Sequence, residues 1–123
     1  MEEVEKLNLD FQEFSDAGFM LGHGSIVSIP KDFSMVHYIY HLFKFSAEES
    51  CGKCFPGRLG SYRGREMFDQ AINKSQKIPL KLLNELLVTM KKGSLCALCG
   101  AIPVPIMNIL KYFGDEMKND IVQ

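Results

Sequence analysis

The sequence predicts a mainly α protein, a small four-helix bundle preceded by a short β-element. Apolar residues recur at intervals of three and four along four separate stretches after residue 31. A capping residue or a proline stands before three of those stretches, whereas the earlier part of the chain alternates apolar with polar residues and is broken by glycine. The organisation expected is a short β-element and linker over residues 1–30 and a helical domain over 31–123.

Leu7, Leu9 and Phe11 alternate with Asn8, Asp10 and Gln12, a period of two that suits a strand. Ser15-Asp16-Ala17-Gly18 interrupts it, and Gly22-His23-Gly24-Ser25 makes a second flexible point before the run Ile26-Val27-Ser28-Ile29, which Pro30 ends. Two short strands joined by a glycine-bearing loop are expected. Gly22-x-Gly24 lacks the third glycine and following helix of a dinucleotide fingerprint, so it reads as a turn.

Asp32-Phe33-Ser34 offers an N-cap to the first helix, on which Met35, Val36, Ile39, Leu42 and Phe43 share a face. His37 and His41 stand one turn apart, a spacing able to bind zinc when a third ligand joins. Tyr38, Tyr40 and Phe45 surround them without a His-Glu-x-x-His pattern, which favours surface or hydrogen-bonded histidines. Pro56 and Gly57 are expected to interrupt regular structure. Leu59, Tyr62, Met67, Phe68, Ala71 and Ile72 then line a second helix, with Arg58, Arg63 and Arg65 on or near the other face. Those arginines suit a thiolate-ligated centre or an acidic partner, and equally a solvated face. After the polar linker Asn73-Lys74-Ser75-Gln76-Lys77, Pro79 opens a third helix striped by Leu80, Leu83, Leu86, Leu87 and Met90, closed by Lys91-Lys92-Gly93. Pro103 and Pro105 open the fourth, with Ile106, Ile109, Leu110 and Phe113 on its apolar face and a solvated tail over residues 115–120.

Composition excludes several classes. A net charge of −1 over 123 residues disfavours nucleic-acid binding through a basic surface. No run reaches the roughly 18 apolar residues of a membrane span, and the acidic opening Met1-Glu2-Glu3 is unlike a signal peptide. A reducing, cytoplasmic setting is expected, where paired cysteines bind metal more often than they form disulfides.

All 4 cysteines lie in two Cys-x-x-Cys pairs, Cys51/Cys54 and Cys96/Cys99, each in a connection beside a helix end. Two such pairs can complete a tetrahedral sulfur cage around zinc or hold an iron–sulfur cluster, so Cys51, Cys54, Cys96 and Cys99 are the candidate ligands. Unpaired N–H groups at helix starts would favour thiolates there. Phe55, Leu95, Leu98 and Ile102 are expected to shield the centre from water.

Glu49-Ser50-Cys51-Gly52-Lys53-Cys54, Pro56 and Arg58, then Ser94-Leu95-Cys96-x-Leu98, Pro103-x-Pro105 and Tyr112-Phe113-x-Asp115-Glu116 carry a resemblance. Over about residues 9 to 121 the chain resembles the C-terminal iron–sulfur domain of the NADH-oxidising flavoprotein subunit of respiratory complex I, and its relatives in NAD-linked hydrogenases and formate dehydrogenases. The resemblance implies a helical bundle holding a 4Fe–4S cluster through a Cys-x-x-Cys-x-x-Cys run plus one distant cysteine, supplied with single electrons by a flavin in a preceding nucleotide-binding domain. It makes Cys51, Cys54 and Cys96 ligands. The third position of the run is Gly57 here, and Cys99 stands where the family usually has glycine. The inference is a swap in which Cys99 completes four thiolates, and a cysteine placed at Gly57 would restore the usual run. Zinc, an iron-depleted or water-ligated cluster, and an empty site are the alternatives.

The family's preceding nucleotide- and flavin-binding domain is not represented in this chain. The chain by itself is therefore expected not to be an enzyme. It reads as an electron-transfer subunit or module that docks onto a flavoprotein or another iron–sulfur subunit of a redox complex. The competing reading is a zinc-binding structural or assembly module. Phe14, Phe19, Met20 and Leu21 would serve as a docking surface in either case.

Overall fold

A computed structural model describes residues 6–122; the acidic opening over residues 1–5 and Gln123 lie outside the described residues. The chain divides into two compact units, Met1–Lys31 and Asp32–Gln123.

In the first unit the strand expected around Leu7–Phe11 is replaced by a short helix, α1 (Phe11–Asp16). The Asp10 carboxylate accepts from the N–H groups of Gln12 and Glu13 at 2.8 and 3.1 Å, and the Glu13 carboxylate accepts in return from the Asn8 N–H at 2.9 Å. Those local bonds satisfy the backbone at once, whereas a strand here would need a partner, and an isolated two-stranded ribbon is marginal in water. Ile26-Val27-Ser28-Ile29 likewise forms no strand, and Ile26 and Val27 are exposed. The turn reading of Gly22-x-Gly24 fits the backbone, with φ of 59° and 79° at the two glycines and the Gly24 N–H bonded to Leu21 O at 3.1 Å.

The second unit holds α2 (Met35–Glu49), α3 (Phe55–Lys74), β1 (Ile78–Pro79), α4 (Leu80–Gly93), α5 (Ala97–Ala101), α6 (Pro103–Phe113) and β2 (Ile121–Val122). It is mainly α, as the periodicity predicts. Ser34 occupies the N-cap of α2 with extended backbone, although its side chain makes no capping bond. The α4 stripe buries Leu83, Leu87 and Met90, and Lys91 and Lys92 sit in its last turn, where cations oppose the helix dipole.

α3 departs most from expectation. Its buried face is Gly57, Gly60, Ser61, Gly64, Met67 and Phe68, while Leu59 and Tyr62 are exposed. The glycines face inward because neighbouring side chains already fill the volume that theirs would take. A Cβ at Gly64 would enter the ring of Phe43, and one at Gly60 would lie 2.5 Å from Met90 Cγ. Phe43 is fully buried and packs on Phe68 with ring centroids 5.8 Å apart. α3 thus brings α2 and α4 within side-chain reach of its own backbone. Pro56 and Gly57 do not interrupt the helix, since Pro56 lies in its first turn, where a missing N–H costs nothing.

The expected solvated tail is partly core. Met117 is buried, and β2 pairs in parallel with β1, with the Ile78 N–H bonded to Asp120 O at 2.7 Å. That pairing fastens the residues after α6 to the start of α4.

Candidate metal centre

The first cysteine pair spans the connection from α2 to α3. Ser50 ends α2, and its Oγ accepts from the Gly52 N–H at 3.3 Å. Gly52 has φ of 70°, which only glycine adopts cheaply, so the turn between Cys51 and Cys54 depends on it. Cys54 is the N-cap of α3, and the Arg58 N–H bonds to its carbonyl at 2.9 Å. The second pair follows α4. Cys96 is the N-cap of α5, a helix that the periodicity of the sequence does not reveal, and Cys99 lies within it.

Two glycines bring the connections together. A Cβ at Gly93 would lie 2.9 Å from Pro56 Cγ, so the end of α4 rests on the first turn of α3. At Gly57 the position of the missing Cβ is 2.8 Å from Cys54 Sγ and 3.0 Å from Cys99 Sγ. The two sulfurs, one from each pair, therefore converge on a single point. Cys54 and Cys99 are buried, Cys51 and Cys96 are exposed, and all four are free thiols.

The Cys54 thiol is held below its ordinary value, first by the Leu95 N–H and next by the Gly57 N–H, against desolvation, which raises it. One donor comes from the opposite connection and the other from the start of α3. Ser94 Oγ adds a smaller stabilisation of the thiolate, and among the described residues this buried hydroxyl has no other hydrogen-bond partner. Around Cys99 stand two further hydroxyls, Ser46 Oγ at 3.7 Å and Ser50 Oγ at 3.8 Å.

Other expected features fall differently. Phe55 and Leu95 are 76% and 85% exposed and shield nothing; Leu95 turns its N–H rather than its side chain to the site, while Leu98 and Ile102 are half-buried. Two of the three arginines are engaged within α3, Arg63 with Glu66 at 3.3 Å and Arg65 over the Tyr62 ring at 4.8 Å. Arg58 is closest to the cysteine turn, its Cδ 3.8 Å from where a Gly52 Cβ would be. His37 and His41 are exposed on α2. Among the described residues no three His, Cys, Asp or Glu are gathered as closely as a single metal ion needs. Sequence reasoning missed Ser46, Ser50 and Ser94 as neighbours of the sulfurs. The spacing Gly57-x-x-Gly60-x-x-x-Gly64 was the available signal for a close-packed α3 face.

The donor set suits an iron–sulfur cluster. It offers thiolates rather than imidazole or carboxylate, one of them favoured by two backbone N–H groups, and two of the four sulfurs are shielded from water.

Comparison with known proteins agrees. The NADH-ubiquinone oxidoreductase-F iron-sulfur binding region matches residues 37–120. The F subunit of NADH-quinone oxidoreductase from Rickettsia bellii is 31% identical over 118 residues, which is 95% of this chain and 28% of that protein. The corresponding protein of Streptomyces coelicolor is 33% identical over 92% of this chain and 25% of its own length. The NADP-reducing hydrogenase subunit HndC of Solidesulfovibrio fructosivorans is 30% identical over 88% and 22%. The chain thus spans about a quarter of the length of these relatives. The crystal structure of an NAD+-reducing [NiFe]-hydrogenase in the H2-reduced state superposes with a TM-score of 0.64 at 24% identity, over 71% of this chain and 15% of that one, a likeness of fold.

Proposed function

This chain belongs to the NADH-ubiquinone oxidoreductase-F iron-sulfur binding region family, and on that footing we propose that it is an electron-relay module of a redox complex. Cys51, Cys54, Cys96 and Cys99 would hold its 4Fe–4S cluster. The observation that carries this reading is the convergence of Cys54 Sγ and Cys99 Sγ, one from each pair, at the place of the missing Gly57 side chain. Cys99 there takes the room that a third cysteine of the usual run would need, which is the physical content of the swap between positions 57 and 99.

When bound, a 4Fe–4S cluster supplies one-electron storage at a potential set by burial, charge and hydrogen bonds to sulfur. The chain's own part is to prepare the ligands. The N–H groups of Leu95 and Gly57 favour thiolate at Cys54, and burial keeps water from Cys54 and Cys99. The exposed Cys51 and Cys96 leave one side open, the side on which a partner would exchange electrons. The partners proposed are a flavin-carrying polypeptide or another iron–sulfur subunit, in the cytoplasm. The chain spans about a quarter of the length of its curated relatives, and no helix among the described residues is long and apolar enough to cross a membrane. Oxidation of a nicotinamide is accordingly assigned to another part of the assembly, and these residues are proposed not to be an enzyme by themselves. The domain proposed to carry the site is residues 31–123.

Anaerobic purification followed by iron, sulfide and zinc analysis tests the reading. Roughly four iron and four sulfide per chain, a brown colour and a reduced-state electron paramagnetic resonance (EPR) signal are expected. Stoichiometric zinc without iron would replace this reading with the zinc-bound assembly module. Cys51→Ser should abolish the signal, and Cys99→Ser should do the same; an intact signal in the latter would end the swap.

A further inference from the structure

Ser46 lies in α2, its exposure 0%, and it enters none of the chemistry described above. A buried hydroxyl is almost always hydrogen-bonded, and in a helix it often returns its proton to the carbonyl one turn back. Ser61 does so: equally buried in α3, it donates to Gly57 O at 2.7 Å. Ser46 instead bonds across 53 positions of sequence to Cys99 Sγ, 3.7 Å away. Between a thiol and a hydroxyl either atom can donate. A cysteine that ligates iron has no proton on sulfur, so in the loaded protein only the hydroxyl can. Ser50 is placed to act in the same sense. Its Oγ accepts from the Gly52 N–H at 3.3 Å and, while Cys99 keeps its proton, from the Cys99 thiol at 3.8 Å; once that proton is lost to iron ligation, the Ser50 hydroxyl hydrogen is the one left to turn toward the sulfur.

We propose that Ser46 is a positioning residue for the cluster: its hydroxyl donates to Cys99 Sγ, fixes the direction of that sulfur toward Cys54, and raises the reduction potential, with Ser50 as a second donor. The proposal rests on Cys99 being a ligand. A donor to a ligand sulfur stabilises the electron-richer, reduced cluster more than the oxidised one, so losing it makes reduction harder. Ser46 and Cys99 are both buried, so their bond is shielded from competition by solvent.

The test is an anaerobic potentiometric titration of the cluster-loaded full chain, followed by its EPR signal, for wild type, Ser46→Ala, Ser50→Ala and Ser61→Ala. Ser46→Ala should titrate at a more negative midpoint than wild type, with Ser50→Ala moved in the same direction. Ser61→Ala, which removes a hydroxyl bonded to backbone, should lose stability with its midpoint unmoved. A Ser46→Ala midpoint equal to that of wild type, or a matching shift in Ser61→Ala, would overturn the proposal. Should Ser46→Ala fail to retain a cluster, Ser50→Ala decides, and an unmoved midpoint there counts against it. A wild-type chain that takes up no iron would remove the reading beneath the proposal. A loaded chain indifferent to these serines removes the proposal alone.

Discussion

Replacing Gly57 with alanine sets two effects of opposite sign against each other. The added methyl group would lie 2.8 Å from Cys54 Sγ, 3.0 Å from Cys99 Cβ and 3.0 Å from Cys99 Sγ. Comfortable carbon contacts need about 3.5–4.0 Å, so the overlap is roughly half an ångström or more on three atoms at once. Cys54 Sγ could rotate away, at the loss of its Leu95 and Gly57 N–H bonds. Cys99 Cβ cannot, because it is fixed to the backbone of α5, so the helix itself must shift. Overpacking of this kind costs about 1–3 kcal/mol, while alanine over glycine gains at most about 1 kcal/mol of helix propensity. The overlap wins, and a net loss of about 1–2 kcal/mol is expected. In a Cys99→Gly background two of the three close contacts disappear, so the same substitution should cost about 1–2 kcal/mol less. The assay is urea denaturation under reducing conditions of wild type, both single variants and the double variant, compared at constant m. Additivity within about 0.5 kcal/mol, or a stabilised Gly57→Ala, would refute the packing of Cys99 against Gly57. The same geometry corrects the expectation for Gly57→Cys. Alone, that change collides with Cys99 and should lower iron content, whereas Gly57→Cys with Cys99→Gly should recover it.

Gly52→Ala should cost about 1 kcal/mol through its φ of 70° and lower cluster occupancy with it, checked by thermal melting and iron analysis; the nearest obstacle to the methyl group is 3.8 Å away, so strain and not collision is the cause. Met117→Ala should destabilise by about 2–5 kcal/mol despite lying in a stretch that reads as a polar tail, measured by chemical denaturation; a loss below about 0.5 kcal/mol would place Met117 outside the core. Removing iron with a chelator should lower the melting temperature, since a centre bound by the folded chain alone stabilises it by mass action. The drop should shrink in Cys51→Ser and Cys99→Ser, which start without it.

The helical stripes of α2, α4 and α6 were legible because large apolar residues at intervals of three and four declare a buried face wherever the chain goes. The two cysteine pairs were legible for a similar reason, since thiols at that spacing have few other chemical uses and their flanking residues carried the family resemblance. Whether Leu7–Gln12 became strand or helix depended on whether a partner strand stood beside it, and the Asp10 cap needed none. The buried face of α3 was hidden because periodicity registers apolar volume, and this face has almost none until Met67. What buries Gly57, Gly60 and Gly64 is volume supplied by Cys99, Met90 and Phe43, each encoded at least 21 positions away. The sequence by itself singled out the four sulfurs proposed to do the chemistry and determined that most of the chain would be helical. Only the tertiary structure decided which sulfurs are buried and which hydroxyls face them, because hydrogen bonding and steric exclusion act across space between residues that no local pattern links.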